Sequence, residues 1–242
     1  PMLGDLDIKN MENLTQHDFT KKIYPVYKAI NLVNNDELTK NKNTIGFVGA
    51  PWTLLVYMIN KQSPKLKLKN DFFSDNALIN KLLVILEKFL KVHIKNQIEN
   101  GAEIIQIFDS WAGLLEEKDL SKYVYKPTLN LVDYVKSLDI PVICFPRGIK
   151  KYKEYCEFIN PSVICIDYEV DPVKIRKEIK IPVQGGMDPK VLLTNTETLK
   201  NEAKRYLDIF KDHPYIFNLG HGILPETDPK MMDYLVKLVK DY

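Results

Sequence analysis

Polar, charged and glycine residues able to do chemistry gather in five places: Asp109-Ser110-Trp111, Pro146-Arg147-Gly148, Asp167-Tyr168, Gln184-Gly185-Gly186-Met187-Asp188-Pro189 and Gly220-His221-Gly222. An imidazole donates a hydrogen bond or carries a proton near neutral pH, which makes His221 a candidate site residue. The glycines on either side of it permit an unusual backbone and leave room around the ring. Ser110 carries a hydroxyl that either donates to a ligand or closes a turn. Arg147 presents a fork of donors suited to a carboxylate, with neutralisation of Asp167 or of a helix terminus as the plainer role. Tyr57, a little after Pro51, offers a phenol to a ligand or packs as an amphipathic core residue.

Each of the five places ends a short apolar run. The runs are Ile104–Phe108, Val142–Phe145, Val163–Ile166, Ile181–Val183 and Tyr215–Leu219, and each polar stretch is followed by a helical pattern. Runs this continuous suit strands covered on both faces, hence a parallel sheet. A sixth unit lies earlier, in TIGFVGAPWTLLVYM (44–58): an apolar run from Thr44 to Val48, a small-residue corner at Gly49 and Ala50, and a helix opened by Pro51. Six βα units of one polarity predict an α/β fold with polar residues at the C-terminal ends of its strands, which is the active end of a (β/α) barrel. They predict a single mouth.

The intervening segments are read by spacing. Residues 1–22 are polar and predict no regular structure, Tyr24 to about Leu38 predicts a helix, and Asp71 to Asn100 predicts the longest helix, closed by Gly101. His93 lies on the apolar stripe of that helix and reads as a buried, hydrogen-bonded histidine rather than a ligand or base. The stretch KQSPKLKLKN (61–70) reads as a mobile, solvated loop whose four lysines, near a pocket, would suit an anionic ligand.

Length favours one domain over 1–242, since α/β barrels reach this size intact. The 34 basic and 32 acidic residues leave a net charge of +2, too balanced for a nucleic-acid partner. No apolar run approaches the ~20 residues of a membrane span. Three cysteines, Cys144, Cys156 and Cys165, make no even disulfide set, which points to a reducing, cytoplasmic compartment.

GFVGAPWTLLVYM (46–58), IIQIFDSWAGLL (104–115), FPRG (145–148), VQGGMDP (183–189) and FNLGHGILPETDP (217–229) together resemble uroporphyrinogen decarboxylase, in the family's order and across nearly the whole chain. VQGGMDP stands where the family shows a GNLDP-like run, and Arg147 stands where lysine is common. The resemblance implies stepwise loss of carbon dioxide from the four acetate side chains of uroporphyrinogen III, giving coproporphyrinogen III, with no metal and no organic cofactor. It implies that Tyr57, Ser110 and His221 contact substrate and that Phe108 packs against a pyrrole face. Arg147 joins them as a cation near the strand ends. It also allows a homodimer. The family's RQAGR motif and FSDI segment, which supply its arginine and its pyrrole-facing aspartate, have no counterpart in these 242 residues. The resemblance therefore implies strands three to eight of a TIM-type (β/α)8 barrel, no catalytic residue of the family's set, and a chain inactive by itself.

Two alternatives stand beside it. A related barrel family transfers methyl groups from corrinoid to thiol through zinc, and Cys144 at a strand end invites that comparison; catalytic zinc takes three protein ligands, and the three cysteines read instead as small hydrophobes. A non-catalytic remnant that keeps a pocket or an interface is the other. An open barrel also predicts bare main-chain groups along the outer strands, at Thr44–Val48 and Tyr215–Leu219, and hence self-association.

Overall fold

The computed structural model describes residues 6–64, 67–68 and 71–242, in two compact units, Pro1–Ile149 and Lys150–Tyr242. Of the four lysines in 61–70, Lys65 and Lys69 lie outside the described residues.

The first unit opens with two helices, α1 (Ile8–Asn13) and α2 (Gln16–Asn34), where no regular structure was predicted before Tyr24. The start of α2 is set by Thr15, whose hydroxyl oxygen accepts from Asp18 N–H and donates to the Asp18 carboxylate at 2.6 Å. That reciprocal cap satisfies an orphan donor seven residues before Pro25, and the helix runs through the proline because it removes only one internal donor. Strand β1 (Ile45–Gly49) leads through Ala50 into α3 (Pro51–Asn60), with proline at the first helical position as its missing N–H requires. Helix α4 (Asn76–Glu99) follows, capped by Asp75, and then β2 (Ile104–Asp109). The short helix α5 (Glu117–Leu120) and α6 (Lys126–Lys136) lead to β3 (Val142–Pro146). The three strands are parallel and adjacent in chain order, with Gly49 opposite Phe108 and Asp109 opposite Pro146. Their buried side chains, Val48, Ile105, Ile107, Val142 and Ile143 among them, form the core with Trp52, Leu55, Leu82 and Ile94 of the helices.

The outer edge of β1 is not bare at its centre. The buried side-chain amide of Gln97 accepts from Phe47 N–H and donates to Phe47 C=O, both at 3.0 Å. Gly46 leaves the room, since a Cβ there would lie 2.8 Å from the Gln97 oxygen. The expectation of unpaired main-chain groups is thus corrected at Phe47, where a helix side chain does the work of a neighbouring strand.

The second unit repeats the alternation: α7 (Tyr152–Ile159), β4 (Val163–Ile166), α8 (Pro172–Glu178), β5 (Val183–Gly185), α9 (Thr196–Phe210), β6 (Tyr215–Ile216) and α10 (Pro229–Lys240). Its strands are parallel, Ile166 opposite Gly185 and Gln184 opposite Ile216. Strand β5 lies two residues later than the apolar run Ile181–Val183 predicts. Pro182 has no N–H to give, although its carbonyl accepts from Ile164, so the ladder begins after it. Gly185 and Gly186 then take φ of +84° and +105°, and their carbonyls accept from Tyr215 and Tyr206 hydroxyls at 2.8 and 2.6 Å. The run Tyr215–Leu219 pairs as a two-residue strand and then meets Met187 again only at Leu219.

Candidate active site

In the first unit the site is built on the corner where β2 ends. Phe108 is half-buried between the Phe47 and Phe145 rings, edge-on to both with centroids 6.0 and 5.9 Å away. Asp109 turns inward and is buried. Its Oδ1 accepts from the Thr53 hydroxyl at 2.6 Å, and the same hydroxyl oxygen accepts from Trp111 N–H at 3.2 Å. Ser110, between these two anchored residues, is half-buried. The Trp111 carbonyl accepts from Trp52 Nε1 at 2.9 Å, which ties the corner to the first turn of α3.

Helix geometry brings Tyr57 into the same place. Thr53 and Tyr57 are four residues apart on α3 and so share a face. Thr53 reaches Asp109, and the Tyr57 ring meets Trp111 edge-on at 6.1 Å. The Tyr57 hydroxyl takes no hydrogen bond among the described residues. Arg147 follows β3 beside this corner: its N–H donates to the Asp109 carbonyl at 3.1 Å, and its carbonyl accepts from Gly113 N–H at 3.0 Å. The two loops touch because both carry glycine. A Cβ on Gly113 would lie 2.7 Å from the Gly148 carbonyl oxygen, and Gly148 has φ +79°. Within its unit, among the described residues, Arg147 makes no ion pair. The main chains of Phe108, Ser110 and Arg147 thus meet at this corner, and the Tyr57 ring reaches it through Trp111.

Electrostatically the corner is marked by Asp109. Loss of hydration raises its pKa to about 7, against the lowering effect of the Thr53 hydrogen bond. Its second oxygen, Oδ2, and the Trp111 indole Nε1 are buried with no hydrogen-bond partner in the described structure. Sequence reasoning placed Asp109 at the strand end and gave it no role; Thr53 and Gln97 it missed. A threonine in the first turn of a helix after a proline corner was the available signal for Thr53.

In the second unit His221 is exposed and meets the Tyr168 ring edge-on at 6.5 Å. The glycines beside it act differently from what was expected. Neither has a positive φ. Gly220 is small because its chain presses on the strand end of β4, where a Cβ would lie 2.4 Å from Tyr168 N, whereas Gly222 faces open space. The loop and α10 border an apolar cavity of about 420 Å³, lined by Phe217, Leu219, His221, Met232, Leu235 and Val239 among others. Beneath, buried Asp167 accepts from the Tyr152 hydroxyl at 3.2 Å and from Glu169 N–H at 2.9 Å.

The remaining candidates take the plainer roles. His93 Nδ1 lies 3.1 Å from the Tyr27 hydroxyl, and burial lowers its pKa. Cys144 and Cys165 are buried, and burial pushes the Cys156 and Cys165 thiols up to about 12. Among the described residues no group of three or more His, Cys, Asp or Glu side chains could hold a metal ion. No helix among them is long and apolar enough to cross a membrane.

The family model for uroporphyrinogen decarboxylase (URO-D) matches residues 2–242. This chain belongs to the uroporphyrinogen decarboxylase family. A uroporphyrinogen decarboxylase of Rickettsia bellii is 37% identical over 249 residues, covering 100% of this chain and 73% of the relative. Those of Wolbachia pipientis wMel and Orientia tsutsugamushi Boryong are 42% and 39% identical, and this chain spans 66% and 70% of their lengths. Among solved structures, a B12-independent methionine synthase from Shewanella sp. W3-18-1 superposes with a TM-score of 0.53 at 13% identity, over 89% of this chain and 66% of that one. A likeness at that identity speaks to fold alone. The fold class is that of an incomplete (β/α)8 barrel of TIM type, with six strands among the described residues, each followed by helix. As a uroporphyrinogen decarboxylase relative the chain belongs to a family of lyases of porphyrin and haem biosynthesis.

Proposed function

We propose that Tyr57, Phe108, Ser110, Arg147 and His221 bind uroporphyrinogen III, and that they serve its decarboxylation at the four acetate side chains to coproporphyrinogen III. The observation that supports this is that the main chains of Phe108, Ser110 and Arg147 meet at one corner of the first unit, which the Tyr57 ring reaches through Trp111, in a chain matched by the family over nearly its whole length. The chemistry asks for such a corner. Protonation of a pyrrole carbon beside an acetate makes the ring an electron sink, so the carbon–carboxylate bond breaks with its electrons flowing into the ring and carbon dioxide leaving. The protein then has to supply a proton, anchor the remaining carboxylates and exclude water. Ser110 and Tyr57 are hydroxyl donors for carboxylates, Arg147 is a fixed cation with no ion partner among the described residues of its own unit, and Phe108 presents an apolar ring to a pyrrole face. His221, exposed and backed by Tyr168, donates to a propionate.

In this reading these residues bind substrate, and none of them is assigned the proton transfer. The reading places the chain in the cytoplasm and allows a homodimer. Fluorescence titration with uroporphyrin III, the oxidised form of the substrate, tests the binding, with anaerobic uroporphyrinogen turnover measured in parallel. Saturable binding that weakens in Ser110→Ala and Tyr57→Phe is the expected result. Binding no tighter than to a porphyrin lacking carboxylates would sink the reading.

A further inference from the structure

The corner at the end of β2 contains a directional hydrogen-bond relay. Thr53 Oγ1 donates to Asp109 Oδ1 and accepts from Trp111 N–H. A hydroxyl has one proton. With the carboxyl taking that proton, an oxygen lone pair is turned toward Trp111, so the acceptor on one side fixes the donor on the other. Ser110 is thereby held at both neighbours: Asp109 through its side chain and through its carbonyl to Arg147 N–H, and Trp111 through its N–H and its carbonyl. The Trp111 ring is the surface against which Tyr57 rests. The arrangement is costly, because Asp109 is 1% exposed and its Oδ2 is left without a partner among the described residues. A strand end that only had to turn would not need a carboxyl there, since an apolar side chain of similar volume leaves no orphan oxygen.

We propose that Asp109, acting through Thr53, is a positioning residue of the substrate site: it orients the Thr53 hydroxyl, which fixes Trp111 and with it the Ser110 hydroxyl and the Tyr57 ring. The proposal rests on the substrate reading above in taking Ser110 and Tyr57 as contacts. Asp109 itself is too deeply buried to touch a ligand.

The test uses the chain as it exists, with amide hydrogen exchange at Trp111 as one readout and uroporphyrin III affinity as the other. Thr53→Val and Asp109→Ala are expected to speed Trp111 exchange by about tenfold and weaken binding by about fivefold, the scale of one lost hydrogen bond. Thr53→Ser and Asp109→Asn, which restore the hydroxyl and the acceptor oxygen, are expected to bring both readouts back to within about twofold of wild type. A merely structural role would not track the hydroxyl and the acceptor in this way. If Asp109→Ala does not fold, the comparison of Thr53→Val with Thr53→Ser decides alone. Unchanged Trp111 exchange in Thr53→Val overturns the relay, and lost protection with unchanged affinity overturns its part in binding. Ser110→Ala, measured alongside, separates this from failure of the substrate reading, which leaves Ser110→Ala itself at wild-type affinity.

Discussion

Replacing Asp109 by asparagine should flatten the fall in this protein's stability as pH rises toward neutral, and the structure sets the size of the effect. In the folded chain burial raises the Asp109 pKa from 3.8 to about 7. Between those two pH values the native state holds a proton that the unfolded chain releases, so stability falls as pH rises through that window and levels off above it. A shift of about 3 units corresponds to roughly 4 kcal/mol in all, of which roughly 2.5 kcal/mol falls between pH 5 and pH 8. Asparagine keeps an oxygen to accept from Thr53 and cannot ionise. The variant should therefore match wild type to within about 1 kcal/mol at pH 5 and exceed it by roughly 2.5 kcal/mol more at pH 8 than at pH 5. Both tryptophans, Trp52 and Trp111, lie in the first unit, so urea titrations followed by tryptophan emission report on the unit that holds Asp109. Other titrating groups cancel in the difference between the two proteins. A stability difference that stays constant between pH 5 and pH 8 would show that Asp109 is ionised throughout, and the account of its burial would be wrong.

Three further outcomes are expected. Ser110→Ala, Tyr57→Phe and His221→Ala should each cost about 1–3 kcal/mol of uroporphyrin binding while the urea midpoint stays put; a variant that unfolds early yet binds fully per folded molecule marks its residue as structural. Gln97→Leu should raise the self-association constant in sedimentation by about tenfold or more, because it strips the main chain of Phe47, whose side chain is already 62% exposed, of both partners. Equal constants would mean that the edge is guarded by something else. Gly220→Ala should cost about 1–3 kcal/mol in the urea titration of the second unit, since the new Cβ meets backbone rather than a movable side chain; a neutral result would show that the NLGHG loop does not press on Tyr168.

The strands were legible because β-branched runs ended by polar residues leave few alternatives, and five of the six begin within a residue of the run that predicted them. The slip at β5 came from treating Ile181-Pro182-Val183 as one apolar run, when the proline between them has no donor. The start of α2 was missed because its apolar face is thin, with Tyr27 its one buried residue, and the deciding signal was a cap three residues long. At the site, types and order pointed to Ser110, Tyr57, Arg147 and His221. Their supports were not legible. Nothing in the spacing pairs Thr53 with Asp109, 56 residues apart, or Gln97 with Phe47, 50 apart, since such pairs exist only after β1 and β2 have met. The glycines of NLGHG read as an unusual backbone with room around the ring; close packing is what calls for Gly220, while Gly222 faces open space.

The state of Asp109 also bears on how an octa-anion could approach this corner. A carboxylate at the end of β2 would repel the acetate and propionate groups that Ser110 and Tyr57 are proposed to hold, and a low-dielectric surround would strengthen the repulsion. Burial acts against that charge. With its pKa raised to about 7, the group is neutral through the mildly acidic range, and it still accepts the Thr53 proton in that form. Exchange of the buried carboxyl for an exposed, ionised one would keep the relay and lose the neutrality. Exchange for an apolar side chain would do the reverse. A deeply buried acid satisfies both demands at once, at the cost in stability that the pH titration measures, and affinity for uroporphyrin should accordingly weaken as pH rises through 7 in the wild type more than in Asp109→Asn. A porphyrin affinity that falls equally in both proteins over that range would assign the loss to the ligand or to other groups.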